Sequence, residues 1–121
     1  MTKIYLSGPM TGYPDYNRQA FAEATAQLRD LGFKVVNPHE LKEPFLKVND
    51  PDYNWRQYLA RDISVLLTDD IEGVVVLPGW EKSRGSILEL HVAQYIGLKV
   101  YQLSTVLKAS KLAEENNAQT E

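Results

Sequence analysis

Apolar residues recur along this chain in two alternating patterns: short runs of four or five, and longer stretches at helical spacing. Lys3-Ile4-Tyr5-Leu6-Ser7 reads as a first strand, stopped by Gly8-Pro9. Phe21, Ala24, Leu28 and Leu31 then follow the period of an amphipathic helix, which predicts helix over about residues 17–31. Asp15 or Asn17 is placed to cap it, and Gly32 to end it. Residues 33–36 read as a second strand, ended by Asn37-Pro38. Residues 38–53 carry no period, and Pro44 and Pro51 argue against a continuous helix there. A loop of that length in a compact domain is usually a functional segment or a lid. Helical spacing returns over residues 55–67 through Tyr58, Leu59, Ile63 and Leu66. Residues 73–77 form an apolar run that reads as a strand buried on both faces. A helix over 86–96, a strand over 99–103 and a last helix near 105–114 follow. The tail ENNAQTE is polar and expected to fray.

Strands alternating with helices predict an α/β fold: a mostly parallel sheet covered by helices on both faces. In such sheets ligands bind at the carboxyl ends of the strands. At 121 residues the chain is expected to form one domain, residues 1–114, with 115–121 as tail. There are no cysteines, which excludes disulfides and thiolate metal sites. The opening MTKIYLSGPM lacks the apolar stretch of a secretory signal, and no run approaches membrane-spanning length. A cytoplasmic protein with no membrane partner is expected. Net charge is −3, and the 13 basic residues are scattered along the chain. Duplex nucleic acid is therefore not an expected partner, and a small molecule is.

The candidate chemistry lies mostly in two loops. Ser7-Gly8-Pro9-Met10-Thr11-Gly12 follows the first strand, where backbone amides can cradle a phosphate or ribose. It has neither the GxGxxG spacing nor the P-loop lysine, and a plain turn explains it as well. Ser83-Arg84-Gly85-Ser86 precedes Glu89 at the start of a helix, where the helix dipole favours an anion. Ser86-Ile87-Leu88-Glu89 also matches the S-x-x-E capping box, in which Glu89 reaches back to the Ser86 amide. Glu89 is thus a cap or a reactive carboxylate, and local spacing favours the cap. Asp62 follows Tyr58 and Leu59 at helical spacing, which places it beside an apolar face and towards the top of the sheet. Trp80, after Pro78-Gly79, is a base-stacking candidate or a cover on the core. Asp69-Asp70 read as a solvated helix end, and His39 and His91 have no metal-like spacing.

Three segments together resemble the nucleoside 2-deoxyribosyltransferase superfamily, including the 2'-deoxynucleoside 5'-monophosphate N-hydrolases, and its small phage and bacterial members above all. They are YLSGPMTG, RDISVLLTDDIEGVVVLPGW and SRGSILELHVAQYIGLKV, and the resemblance covers about residues 3–103. It implies a three-layer doubly wound, flavodoxin/Rossmann-like sheet of four to five strands. It also implies that Glu89 is a nucleophile, that Tyr5 contacts it, and that Asp62 assists protonation of the leaving base. Ser83 and Gly85 match phosphate-binding positions, and Gly8, Pro9 and Met10 match the first-loop backbone. The monophosphate hydrolases carry a basic residue in that loop; this chain has Thr11, and Arg84 is the basic residue left to compensate. A family contribution from a second subunit has only Ser104 as a candidate here. The implied reaction is cleavage or transfer of an N-glycosidic bond through a glycosyl–glutamate, with no metal or cofactor, in a homo-oligomer. A non-catalytic nucleotide-binding module and a glycosidase acting on a larger nucleotide such as NAD are the alternatives.

Overall fold

The computed structural model describes residues 2–120, with side chains described through Asn116; Met1 and Glu121 lie outside the described residues. Four strands, β1 (Lys3–Ser7), β2 (Lys34–Val36), β3 (Gly73–Val76) and β4 (Lys99–Gln102), form one parallel sheet in the order β2-β1-β3-β4. Tyr5 pairs with Val36 on one side and Val74 on the other, which places β1 and β3 at the centre. The helices are α1 (Arg18–Asp30), α2 (Pro51–Thr68), α3 (Arg84–Tyr95) and α4 (Leu103–Thr120). The expected fold class is the observed one, with four strands, all parallel.

Period-two alternation divides the core. Ile4, Leu6, Val75 and Leu77 pack on Phe21, Ala24 and Leu28 of α1, with Leu103 and Val106 of α4 beside them. Tyr5, Val74 and Val76 face the opposite way, against Leu66 of α2 and Leu90 and Ala93 of α3. Phe21 and Leu28 are fully buried, each contributing about 1.5–3 kcal/mol. The exposed Arg29–Glu40 pair is worth about 1 kcal/mol or less, so burial and not charge holds α1 in place.

The elements differ from expectation in several places, each for a local reason. Helix α2 starts at Pro51, not near Trp55: Asp50 caps it by accepting from the Tyr53 amide at 3.2 Å, and proline is compatible with the first helical position. Neither Asp15 nor Asn17 caps α1 through its side chain; Asn17 sits left-handed and its amide donates to the Pro9 carbonyl at 3.0 Å. This ties the first loop to the helix that follows it. Helix α4 begins directly after β4 and runs to Thr120, so the backbone of residues 115–120 continues it. Asp69 is exposed, as expected, and also pairs with Lys3 at 2.8 Å.

All four helices begin at the carboxyl edge of the sheet, where the loops after β1 and β3 pack together. The Leu77 amide extends the pairing by donating to the Ser7 carbonyl. A Cβ on Gly8 would lie 2.8 Å from the Leu77 Cβ. Gly79 has φ +89°, and a Cβ there would meet the Tyr13 hydroxyl at 2.8 Å. Gly8→Ala is expected to destabilise the protein by about 1–3 kcal/mol, because the fully buried Leu77 cannot yield. Urea denaturation reads this directly, and an unchanged midpoint would contradict the close packing of these loops.

Candidate active site

Tyr5 and Ser7 are two residues apart on β1, so both side chains leave the face that meets α2 and α3. Ser86 and Glu89 are one turn apart on α3 and face back towards them. The Glu89 carboxylate accepts from both β1 hydroxyls, from Tyr5 on Oε2 and from Ser7 on Oε1 at 2.8 Å. Ser7 and Ser86 oxygens lie 3.0 Å apart. A serine hydroxyl has one proton, so the polarity runs from Ser86 to Ser7 to Glu89. Tyr5 is fully buried and Glu89 is 6% exposed.

This arrangement overturns the capping box. The N-cap of α3 is Ser83, whose hydroxyl accepts from the Ser86 amide at 3.2 Å. The amide that a capping Glu89 would need is already taken, and the carboxylate turns to the sheet. Asp62 of α2 is buried near this pair, and its charge acts on both the Glu89 carboxyl and the Tyr5 phenol. The three groups therefore influence one another between the sheet and two helices.

The electrostatics follow from burial. Desolvation, then the Asp62 charge, pushes the Glu89 carboxyl up to about 7, against the Tyr5 and Ser7 hydrogen bonds that favour the ionised form. Asp62 is also raised by burial, opposed by the guanidinium of Arg61. The Tyr5 phenol is pushed well up by burial and by Glu89, so it stays a neutral donor.

The other expected residues are distributed around this centre. Gly8 and Pro9 are buried in the first loop, above the Ser7 hydroxyl. The Met10 side chain packs on the α1 face of the sheet, away from Glu89. Trp80 packs beside the Tyr5 face, with a buried indole N–H that has no protein partner. With Ser104 it lines a cavity of about 210 Å³ at the ends of β3 and β4, which does not reach Glu89. Arg84 turns to α2, its guanidinium 4.6 Å from the Trp55 ring centre. A Cβ on Gly85 would meet nothing within 4 Å, so this turn of α3 is open in front. His39 packs edge-on against Phe21 and His91 is exposed, both outside the site.

Sequence reasoning missed Arg61. Adjacent residues on a helix do not face each other, so spacing gave no reason to link it to Asp62. Its long side chain folds back nonetheless: Nε and Nη2 each lie 2.9 Å from Asp62 Oδ1. The roles of Ser86 and Trp55 were likewise missed, the first being read only as a cap.

Glu89 titrates near 4.5 when unfolded and near 7 in the fold. The folded state therefore holds the extra proton between those values, and its stability declines as pH rises through them. Glu89→Gln is expected to remove that decline, worth up to about 3 kcal/mol. Urea midpoints at pH 5 and pH 8 measure it; parallel profiles for wild type and variant would contradict the burial of this carboxyl.

A family model described as "Domain of unknown function (DUF4406)" matches residues 2–102. No curated protein matches the chain. Among solved structures, the fold is similar to the 2-deoxyribosyltransferase from the psychrotolerant bacterium Bacillus psychrosaccharolyticus. The TM-score is 0.56 at 21% identity, over 84% of this chain and 71% of that one. No helix among the described residues is long and apolar enough to cross a membrane. The chain belongs to the DUF4406 family and has the nucleoside 2-deoxyribosyltransferase-like fold.

Proposed function

We propose that the protein cleaves or transfers the N-glycosidic bond of a 2'-deoxynucleoside or its 5'-monophosphate. The observation that carries this reading is the Glu89 carboxylate, turned off its own helix onto Tyr5 and Ser7 with Asp62 beside it. The deoxyribosyltransferase-like fold supports it.

In the proposed reaction ionised Glu89 attacks C1' as the bond to the base nitrogen breaks. Protonated Asp62 gives its proton to the departing base. The oxocarbenium-like transition state is stabilised by the facing carboxylate, and the sugar is then held as an ester. Asp62, now ionised, takes a proton from water as it hydrolyses the ester, or a second base replaces water. Tyr5 and Ser7 orient the Glu89 oxygens through hydrogen bonds that persist in the ionised form. Gly8, Pro9 and Met10 supply first-loop backbone to the sugar, and Trp80 offers a stacking face to the base. Ser83, Arg84 and Gly85 receive the phosphate, where the open front of Gly85 leaves room.

Glu89 is nearly closed off in the single chain, and it lines neither of the two cavities described. The proposed pocket is shared with a second copy, and solution scattering of the active protein checks it. A 13.7 kDa particle with full activity would contradict the oligomer.

Incubation with a panel of deoxynucleosides and their monophosphates is expected to release free base from at least one of them. Glu89→Ala is expected to lower that rate by about 1,000-fold or more, and Asp62→Asn by about 100-fold or more. Undiminished release by Glu89→Ala would overturn the nucleophile. An intact nucleotide retained without turnover would favour a binding module instead.

A further inference from the structure

Arg61 holds three partners at once. Besides Asp62, its Nη2 donates to the Pro38 carbonyl at 3.1 Å and its Nη1 to the Lys42 carbonyl at 3.4 Å. Its guanidinium lies 5.2 Å from the Tyr58 ring centre, and Tyr58 in turn donates to Glu43 at 2.8 Å. Both carbonyls and Glu43 belong to the segment between β2 and α2, whose tip carries the exposed Phe45 and Val48. Arg61 and Tyr58 fasten that segment to the middle of α2, while Asn54 pairs with the Lys47 backbone near the start of α2 and Glu40 pairs with Arg29 of α1.

The two carboxylates of the site are unequally served. Asp62 faces a guanidinium, whereas Glu89 faces only neutral hydroxyls. A carboxylate with a cationic partner ionises before one without. In the unliganded protein the proton therefore rests on Glu89, although the proposed reaction needs it on Asp62. The Tyr5 hydroxyl bonds Glu89, and the Asp62 charge acts on both groups.

We propose that Arg61 is a positioning residue that ties the 38–50 segment to the protonation of the site, keeping Asp62 ionised while it grips the Pro38 and Lys42 carbonyls. Displacement of the segment by an entering substrate withdraws the guanidinium from Asp62. The proton on Glu89 then passes to Asp62. Tyr5 ends neutral, Asp62 protonated and Glu89 ionised. The other titratable groups near Arg61 and the pair are Tyr58 on α2, and His39 and Glu43 in the segment. Burial, then the Arg18 charge, pushes the His39 imidazole below its ordinary value. The catalytic meaning of this device rests on the reading of Glu89 and Asp62 above.

The test is a carboxyl-carbon and amide NMR titration of the full chain, assigned with Glu89→Gln and Asp62→Asn, and it needs no turnover. In wild type, the His39 and Glu43 amides, which share peptide groups with the Pro38 and Lys42 carbonyls, are expected to follow the Asp62 titration. In Arg61→Gln the Asp62 midpoint should rise by about one pH unit or more, and those amides should stop following it. An Asp62 midpoint within about 0.2 unit of wild type, or amides that still follow it, would overturn the proposal. Should Arg61→Gln fail to fold, Arg61→Lys decides, because an ammonium cannot span Asp62 and the two carbonyls together. Loss of amide coupling in that variant supports the device, and retained coupling overturns it. An inactive wild type with these titrations intact would refute the proposed reaction and leave the Arg61 coupling standing.

Discussion

The contact on which the rest depends is that of one buried helix carboxylate with two hydroxyls of the central strand. Glu89 could have capped its own helix. It instead reaches the face of β1, where Tyr5 and Ser7 are the donors it finds. Burying an unpaired carboxylate is costly, and hydrogen bonds to neutral hydroxyls recover only part of that cost. The remainder appears as a carboxyl raised to about 7. That is a value suited to a group that must change protonation state near neutrality.

The fold supplies the geometry for that contact with few residues. Strand pleating sends Tyr5 and Ser7 to one face while Ile4 and Leu6 anchor the other. Ser83, by capping α3, fixes the helix start and so the height at which Ser86 and Glu89 meet β1. Gly8 lets the first loop pass over Leu77, and Asn17 holds that loop by the Pro9 carbonyl. On the opposite wall, α2 brings Asp62 to Tyr5 together with the guanidinium that opposes its neutralisation. Stability and site are therefore in tension at one spot: the hydroxyls that orient Glu89 are also the core-facing residues of the central strand.

Much of the fold was legible because it rests on local periods. The apolar run within Lys3–Ser7 stopped by Gly8-Pro9, the buried run of Gly73–Val76 and the helical spacing of Phe21, Ala24 and Leu28 each specify their element without reference to distant partners. The boundaries that failed did so where one residue type serves two purposes. Pro51 reads as a helix breaker by composition and opens α2 by position. Asn17 reads as a cap and is spent on Pro9. The site was legible only in part for the same reason. S-x-x-E looks identical whether the glutamate bonds its own helix or a strand 84 residues away. Arg61 carried no signal, since its link to Asp62 and to the loop carbonyls depends on how a long side chain folds back.

The most direct test of the account is an infrared titration of the carboxyl carbonyl band in wild type and Glu89→Gln. A buried protonated carboxyl that ionises near pH 7, and is lost in the variant, is the predicted result. A wild-type spectrum with no carboxyl titrating above the ordinary glutamate range would show that Glu89 is solvated, and would contradict the central claim.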